Sequence, residues 1–182
     1  MPEQRRTIEL TDPRALRALA HPTRLRLVGL LRREGPLTAT QAGERLGESP
    51  ASCSFHLRQL AKWNLVEEAG GGRGRERPWR ATARSTSWHV RSLDDAEPAA
   101  ALSSIVVEHQ FTELLGWFER MPDEERPWQE SYQLGDTTLN LTPAELAELG
   151  LRVWDLVTSY ESRGPREGTR EVTVFYAGYP RA

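Results

Sequence analysis

A single cysteine, a single lysine and no long apolar run characterise this 182-residue chain. One cysteine excludes an intramolecular disulfide and leaves no thiolate cluster for zinc. No stretch approaches the ~18 apolar residues of a membrane-crossing helix; apolar residues make up 38% and mean hydropathy is −0.60. The N-terminus, M-P-E-Q-R-R-T-I-E-L, has no apolar signal core, so export is not expected and the cytoplasm is the default. Catalytic signatures are missing as well: there is no G-x-S-x-G elbow, P-loop, dinucleotide fingerprint or H-E-x-x-H. The expectation is a soluble protein that is not an enzyme, with no cofactor, no bound metal and no membrane partner. The scarcity of lysine (Lys62 stands alone among 24 basic residues) reflects a GC-rich genome rather than chemistry.

What is present is unevenly spread. The net charge of −2 hides two opposite halves. Residues 1 to 80 hold 15 basic and 9 acidic residues, a net of +6, whereas residues 81 to 182 hold 9 and 17, a net of −8. A cationic half beside an anionic one fits binding of a polyanion by the first and another task for the second.

The most informative stretch runs from Thr38 to Lys62. Thr38 and Gln41 have capping-box spacing, Ala42 and Leu46 are the apolar positions of a short helix, and Gly47 supplies a left-handed end. Ser49 and Pro50 then suit the cap and first position of a second helix. At ~100° per residue, Cys53, Leu57 and Leu60 share its inner stripe. Ala51, Ser52, Phe55, Arg58, Gln59 and Lys62 lie on the other side. Such a face suits the major groove, where Arg and Gln pair with base edges and a ring touches a thymine methyl. An amphipathic helix with a solvated face has the same pattern, and the residues after Lys62 decide between the two. Leu65-Val66 opens an extended run, and G-G-G-R-G-R-E-R-P-W-R-A-T comes next, with Arg73, Arg75, Arg77 and Arg80 along a loop and its return strand. Two helices in a tight turn ahead of a basic, glycine-rich hairpin make a winged helix, in which the helix reads the groove and the wing grips phosphate.

The run A-L-A-H-P-T-R-L-R-L-V-G-L-L (18 to 31), the turn L-G-E-S-P-A-S-C-S-F-H-L-R-Q-L and the wing together resemble the ArsR-type winged helix-turn-helix transcriptional regulators. The resemblance covers roughly residues 10 to 83. It implies a homodimer that binds operator DNA, usually as a repressor, with residues 50–62 as recognition helix. The chain departs from the metal-sensing branch, since neither a paired-cysteine motif on the recognition helix nor a His/Asp cluster on the last helix is present. His89 and His109, with Asp94 and Asp95, match no metal-ligand spacing.

Ahead of the turn, Thr11 or Asp12 caps a helix with Pro13 in its first turn, and Leu16, Leu19 and Ala20 face inward. A second helix is expected from Pro22 to Arg33, burying Leu25, Val28 and Leu31, with His21 as a local hydrogen-bonding residue at its start. Trp63 and Trp79 are expected to cover the core, and Cys53 to be a small apolar core residue. Residues 84–98 read as a connector ending at Pro98.

The remainder, 99–182, reads as mixed helix and antiparallel strand. A helix over about 99–120 has two apolar stripes, Leu102, Ile105, Val106, His109 and Trp117 on one side and Val107, Phe111, Leu114 and Phe118 nearly opposite. One stripe docks on the winged-helix core, and the other meets the C-terminal region or a partner subunit. Residues 123–130 read as a loop. Thr142 caps a further helix of ~22 residues whose stripe is Leu146, Leu149, Val153, Leu156, Val157 and Tyr160, with Gly164-Pro165 as its end. The three- and four-residue steps are those of a helix pair. Extended segments are expected at 131–141 and 171–179, paired with each other.

The fold class is thus α+β: a winged helix-turn-helix over 1–83, a connector over 84–98, and a dimerisation region over 99–182. The expected function is a homodimeric, sequence-specific DNA-binding transcriptional regulator, a repressor by resemblance. The DNA-facing candidates are Ser52, Phe55, Arg58 and Gln59 toward bases; Thr38, Thr40, Gln41, Ser54 and Lys62 toward the backbone; and Arg73, Arg75 and Arg77 on the wing. His56 shares that helix but lies about 60° from its inner stripe, better placed as a buttress. The dimerisation candidates are Val107, Phe111, Leu114, Phe118, Leu146, Leu149, Val153, Leu156 and Tyr160. Trp88, Trp117, Trp128 and Trp154 are candidate walls of a pocket for a small-molecule effector, against a reading in which the region is only a dimer platform. The alternative function is a protein-interaction module whose acidic half docks a partner.

Overall fold

The computed structural model describes residues 5–71, 77–88, 93–164 and 166–181. The chain divides into two compact units, Met1–Phe118 and Glu119–Ala182.

Local chemistry sets the helices of the first unit. Asp12 caps α1 (Pro13–Leu19), accepting from the Arg14 N–H at 2.8 Å. His21 caps α2 (Pro22–Glu34), its Nδ1 accepting from the Thr23 N–H at 3.2 Å. The capping box of α3 (Ala39–Leu46) is complete: Gln41 N–H donates to Thr38 Oγ1 at 3.2 Å and Thr38 N–H to Gln41 Oε1 at 2.8 Å. Gly47 ends it at φ +68°, a conformation costly for any residue with a Cβ. Two residues later Ser49 caps α4 (Pro50–Ala61). Helices α2 to α4 bury one set of side chains, with Leu27, Leu31, Leu57 and Leu60 wholly inside. The antiparallel pair β2 (Val66–Glu68) and β3 (Trp79–Ala81) comes next, Val66 opposite Ala81 and Glu68 opposite Trp79. Trp79 and Cys53 are buried, and Trp63 packs against the same core, as the sequence leads one to expect.

Gly43 is the close approach that lets α3 and α4 meet. A Cβ there would stand 2.6 Å from the Glu48 carbonyl oxygen, and the Glu48 N–H already donates to the Gly43 carbonyl at 3.0 Å. Gly43→Ala gains about 1 kcal/mol of helix propensity, but displacing backbone costs typically 1–3 kcal/mol. The variant should melt lower than wild type in a calorimetric scan, and a higher Tm would mean the turn yields freely.

Two features of this unit depart from the sequence reading. Strand β1 (Arg5–Leu10) pairs in parallel with β4 (Ala83–Trp88), Leu10 opposite Trp88, and the Thr7 and Ser85 hydroxyls lie 2.7 Å apart. Arg32 of α2 holds β4 in place, donating from Nε to the Ala83 carbonyl at 3.0 Å and from Nη2 to Thr86 Oγ1 at 2.6 Å. Residues 84–98 are therefore no plain connector. They also contain the start of α5 (Leu93–Arg120), which passes through Pro98 instead of beginning after it. Proline inside a helix loses a hydrogen bond and crowds the preceding turn, at about 3 kcal/mol. Here its ring is fully buried, and that burial offsets the loss. Further along, Ala99 and Leu102 are buried, Val106 packs on the core, and the Trp88 indole N–H donates to Ser103 Oγ at 3.0 Å. The first of the two expected stripes docks through Leu102 and Val106.

In the second unit, residues 121–131 are a short 3-10 turn, Met121–Asp123, and α6 (Arg126–Ser131), not a loop. Pro122 and Pro127 sit in the first turns, where a missing N–H is harmless. Helix α7 (Pro143–Ser159) has the full Thr142–Glu145 capping box and continues as a 3-10 turn to Arg163. The strands expected at 131–141 and 171–179 are not formed; both segments are irregular, and no ladder joins them. The later segment lies along α7 instead, with the Tyr176 hydroxyl donating to the Gly150 carbonyl at 2.8 Å. Arg170 lies over the Trp128 ring at 5.1 Å and pairs with Glu124 at 2.6 Å. The α+β class stands on β1 to β4 and the helices, without the C-terminal strands.

Candidate nucleic-acid interface

The outward side of α4 is set by its inward side. With Cys53, Leu57 and Leu60 all at 0% exposure, a 3.6-residue turn leaves Phe55, Arg58 and Lys62 in water and Ser52, Ser54 and Gln59 at the margin. Phe55 is 51% exposed. A large ring left half in solvent at a helix surface is an informative exposed residue. Arg58 has no hydrogen-bond or ion-pair partner among the described residues, so its guanidinium fork is open to a planar acceptor. Gln59 Oε1 accepts from Lys62 Nζ at 3.3 Å, and Ser52 Oγ donates to Glu48 Oε2 at 3.5 Å, both long contacts at a wet surface. On α3, Thr40 and Gln41 are exposed and Thr38 half-buried. Thr38 Oγ1 and Gln41 Oε1 accept in the cap, which leaves the Thr38 O–H and the Gln41 amide nitrogen as donors.

Residues 19–69 match the family model of a helix-turn-helix domain. The chain is also similar to a solved structure, the S. aureus MepR F27L mutant bound to an oligodeoxyribonucleotide, with 14% identity, a TM-score of 0.31, and coverage of 80% of this chain and 86% of that one. No curated protein matches the chain at a significant level.

Within the helix-turn-helix domain, His56 points away from the open face. Its ring centroid lies 4.6 Å from that of His21 and 5.3 Å from that of Phe55, which meets it edge-on. Its Nδ1 is buried without a hydrogen-bond partner among the described residues. His56 packs between the α2 cap and α4, the buttress that its offset from the inner stripe leads one to expect. His21 is the local hydrogen-bonding residue expected. Burial pulls both imidazoles below the usual 6.5, with Arg24 lowering both, the rings lowering one another at His56, and Glu48 opposing. The neutral forms are therefore favoured by the fold, and protonation of His21 Nδ1 turns the acceptor that caps α2 into a donor. For a histidine lowered in the native state, the unfolded chain takes up more protons as pH drops below 6.5, so stability is present above that pH and is lost beneath it. Thermal melts between pH 7.5 and 5.5 should show Tm falling with pH, and His21→Asn, which keeps a capping side chain, should flatten the fall. An equal fall in that variant would assign the effect elsewhere.

The wing is described in part. Arg73 and Arg75 lie outside the described residues. Arg77 stands at the near end of the hairpin, exposed, with Nε 3.8 Å from Glu68 Oε2. Arg80 is bound to Glu67 at 2.7 Å and serves the hairpin itself. Gly70 and Gly71, at φ +71° and +75°, turn the chain out of β2.

The remaining candidates sort by unit. On α5, Val107 and Phe111 are exposed while Leu114 and Phe118 are half-buried, and Leu115, which the sequence reading passed over, continues the exposed line at 58%. On α7, Leu149, Leu156 and Tyr160 are exposed, and Leu146 and Val153 are half-buried. Of the four tryptophans offered as pocket walls, Trp88 is used in packing on the core of the first unit and Trp128 in stacking under Arg170. Trp117 and Trp154 are half-buried. Three residues matter that the sequence reading missed: Gly43, Arg32 and Leu115. Only Leu115 carries a readable signal, its four-residue step from Phe111.

Proposed function

We propose that the chain is a homodimeric, sequence-specific DNA-binding transcriptional regulator, a repressor in sign, which performs no catalysis and works in the cytoplasm. The observation that carries this is the open Phe55–Arg58 face on the second helix of a helix-turn-helix domain, in a half of the chain with net charge +6. In this reading Ser52, Phe55, Arg58 and Gln59 meet base edges in the major groove. Thr38, Thr40, Gln41, Ser54 and Lys62 hold the backbone, and Arg73, Arg75 and Arg77 carry the wing onto phosphate or into the minor groove. Two copies related by a twofold axis set two such helices one duplex turn apart, about 34–36 Å. Val107 and Phe111 on α5 and Leu149, Leu156 and Tyr160 on α7 support pairing because they are apolar and exposed, with Leu114, Phe118, Leu146 and Val153 half-buried beside them. A small-molecule effector acting on the C-terminal region belongs to this reading as a further proposal.

Selection of genomic fragments with purified protein yields the operator and its half-site spacing together. Against that operator, Arg58→Ala should lose roughly 1–3 kcal/mol and relax preference at one base position, whereas Arg75→Ala should weaken operator and random DNA alike. Fluorescence anisotropy with specific and scrambled duplexes reads both. Wild-type behaviour in both variants would move the interface off these residues, and failure to discriminate duplexes would favour the interaction-module reading.

A further inference from the structure

The second unit carries large apolar side chains and buries none. Among its described residues none is fully buried, and Leu149, Leu156, Tyr160, Val172, Val174 and Tyr176 stand exposed. Folded domains do not leave such surface to water without a partner.

The arrangement on α7 says what the partner is. Leu149, Val153, Leu156 and Tyr160 fall within about 60° of one another around the helix. Gly150 and Val157 lie next to this stripe, on the side where the chain's own Tyr176 is bonded. Three of the four are open, Leu149 and Tyr160 exposed and Leu156 63% exposed, with Val153 half-buried between them. Its spacing is also close to a mirror image about Val153, with apolar residues seven before and after (Leu146, Tyr160) and four before and after (Leu149, Val157). A sequence with that symmetry is complementary to itself run backwards, as a twofold interface demands. Charge agrees. Arg152, paired with Glu148 at 2.6 Å, borders the stripe on the same side as Asp155. In an antiparallel pair centred on Val153, like borders face each other, and Arg152 stands within about one residue, ~1.5 Å along the axis, of the partner's level at Asp155.

We propose that α7 crosses α7 of a second copy of this chain, antiparallel and centred on Val153, so that the second unit is one half of a two-chain core. This deepens the paired reading given above and rests on it. The pair closes with Leu146 against Tyr160 of the partner subunit, Leu149 against Leu156 and Val157 of the partner subunit, and Arg152 beside the partner subunit's Asp155.

The test uses the full chain. Cys53 is buried, so wild type is the control for cysteine-directed linking. Val153→Cys, treated with a short bis-maleimide, should link to its own copy, whereas Leu151→Cys, exposed but on the far side of α7, should not. In sedimentation, Arg152→Asp should raise the dimer Kd at least tenfold, and Arg152→Asp with Asp155→Arg should restore it. A dimer that links equally through residue 151, or a double variant as weak as the single, overturns this crossing and leaves the DNA-binding pair standing on α5. A chain that stays monomeric while selecting an operator overturns both, and gives the stripe to a different protein.

Discussion

Raising salt from 50 to 200 mM should weaken operator binding about 10⁴-fold. The magnitude comes from counting the cations proposed to meet phosphate. Lys62 and the three wing arginines, Arg73, Arg75 and Arg77, offer four phosphate partners per chain, eight for a pair. Each neutralised phosphate releases condensed counterion, so log K falls against log salt with a slope near −0.9 per contact, or about −7 here. A slope near −3 or −4 would mean that one copy at a time engages the duplex. A slope flatter than −2 would remove the wing from the interface. In the proposed function Arg58 meets a base and not a phosphate, so Arg58→Ala should leave the slope unchanged while lowering the affinity, which separates reading from gripping in one titration series.

Leu57→Ala should destabilise the helix-turn-helix domain by roughly 2–5 kcal/mol. Leu57 has no exposure and sits midway along α4 between Cys53 and Leu60. Truncation leaves a cavity where three helices meet, and a packed interior relaxes only partly to fill it. At ~2–4 °C per kcal/mol for a chain of this size, Tm should drop roughly 4–20 °C. Phe55→Ala, two residues away on the outer side, provides the contrast. Its melting temperature should stay close to wild type, within the ±0.5 kcal/mol of ordinary surface changes, while affinity for operator falls. If Phe55→Ala melted as low as Leu57→Ala, the outward face of α4 would be structural and the DNA-binding assignment would be lost.

The contrast between these residues was legible in the sequence because its causes are local. Thr38 with Gln41, Gly47, Ser49 with Pro50, and Thr142 with Glu145 each settle a helix end by chemistry within four residues. The inner stripe of α4 comes from a fixed angular step. What escaped was non-local. β1 needs β4, 78 residues away at the Thr7–Ser85 contact, and nothing in R-R-T-I-E-L names that partner. Pro98 read as a helix stop because the rule weighs one lost hydrogen bond and cannot see the burial that offsets it. The segment 171–179 has the β-branched and aromatic composition of a strand, but a strand exists only with a neighbour, and here Tyr176 is bonded to a helix carbonyl. The angle of His56 on α4 already suggested a buttress, but not what it leans on, since His21 lies 35 positions earlier.

The β1–β4 ladder also bears on how the chain comes together as it is made. The first strand leaves the ribosome while its mate is still uncoded, and at 5–20 residues per second roughly 4–16 s pass before β4 is synthesised. The four helices between them close on near neighbours and can collapse in that interval. The strand must then dock across a loop of 78 residues, with a correspondingly large closure entropy. Shortening the chain ahead of Leu10 removes the last piece to arrive, leaving α1 to α4 assembled and Ala83 to Trp88 as an unpaired edge.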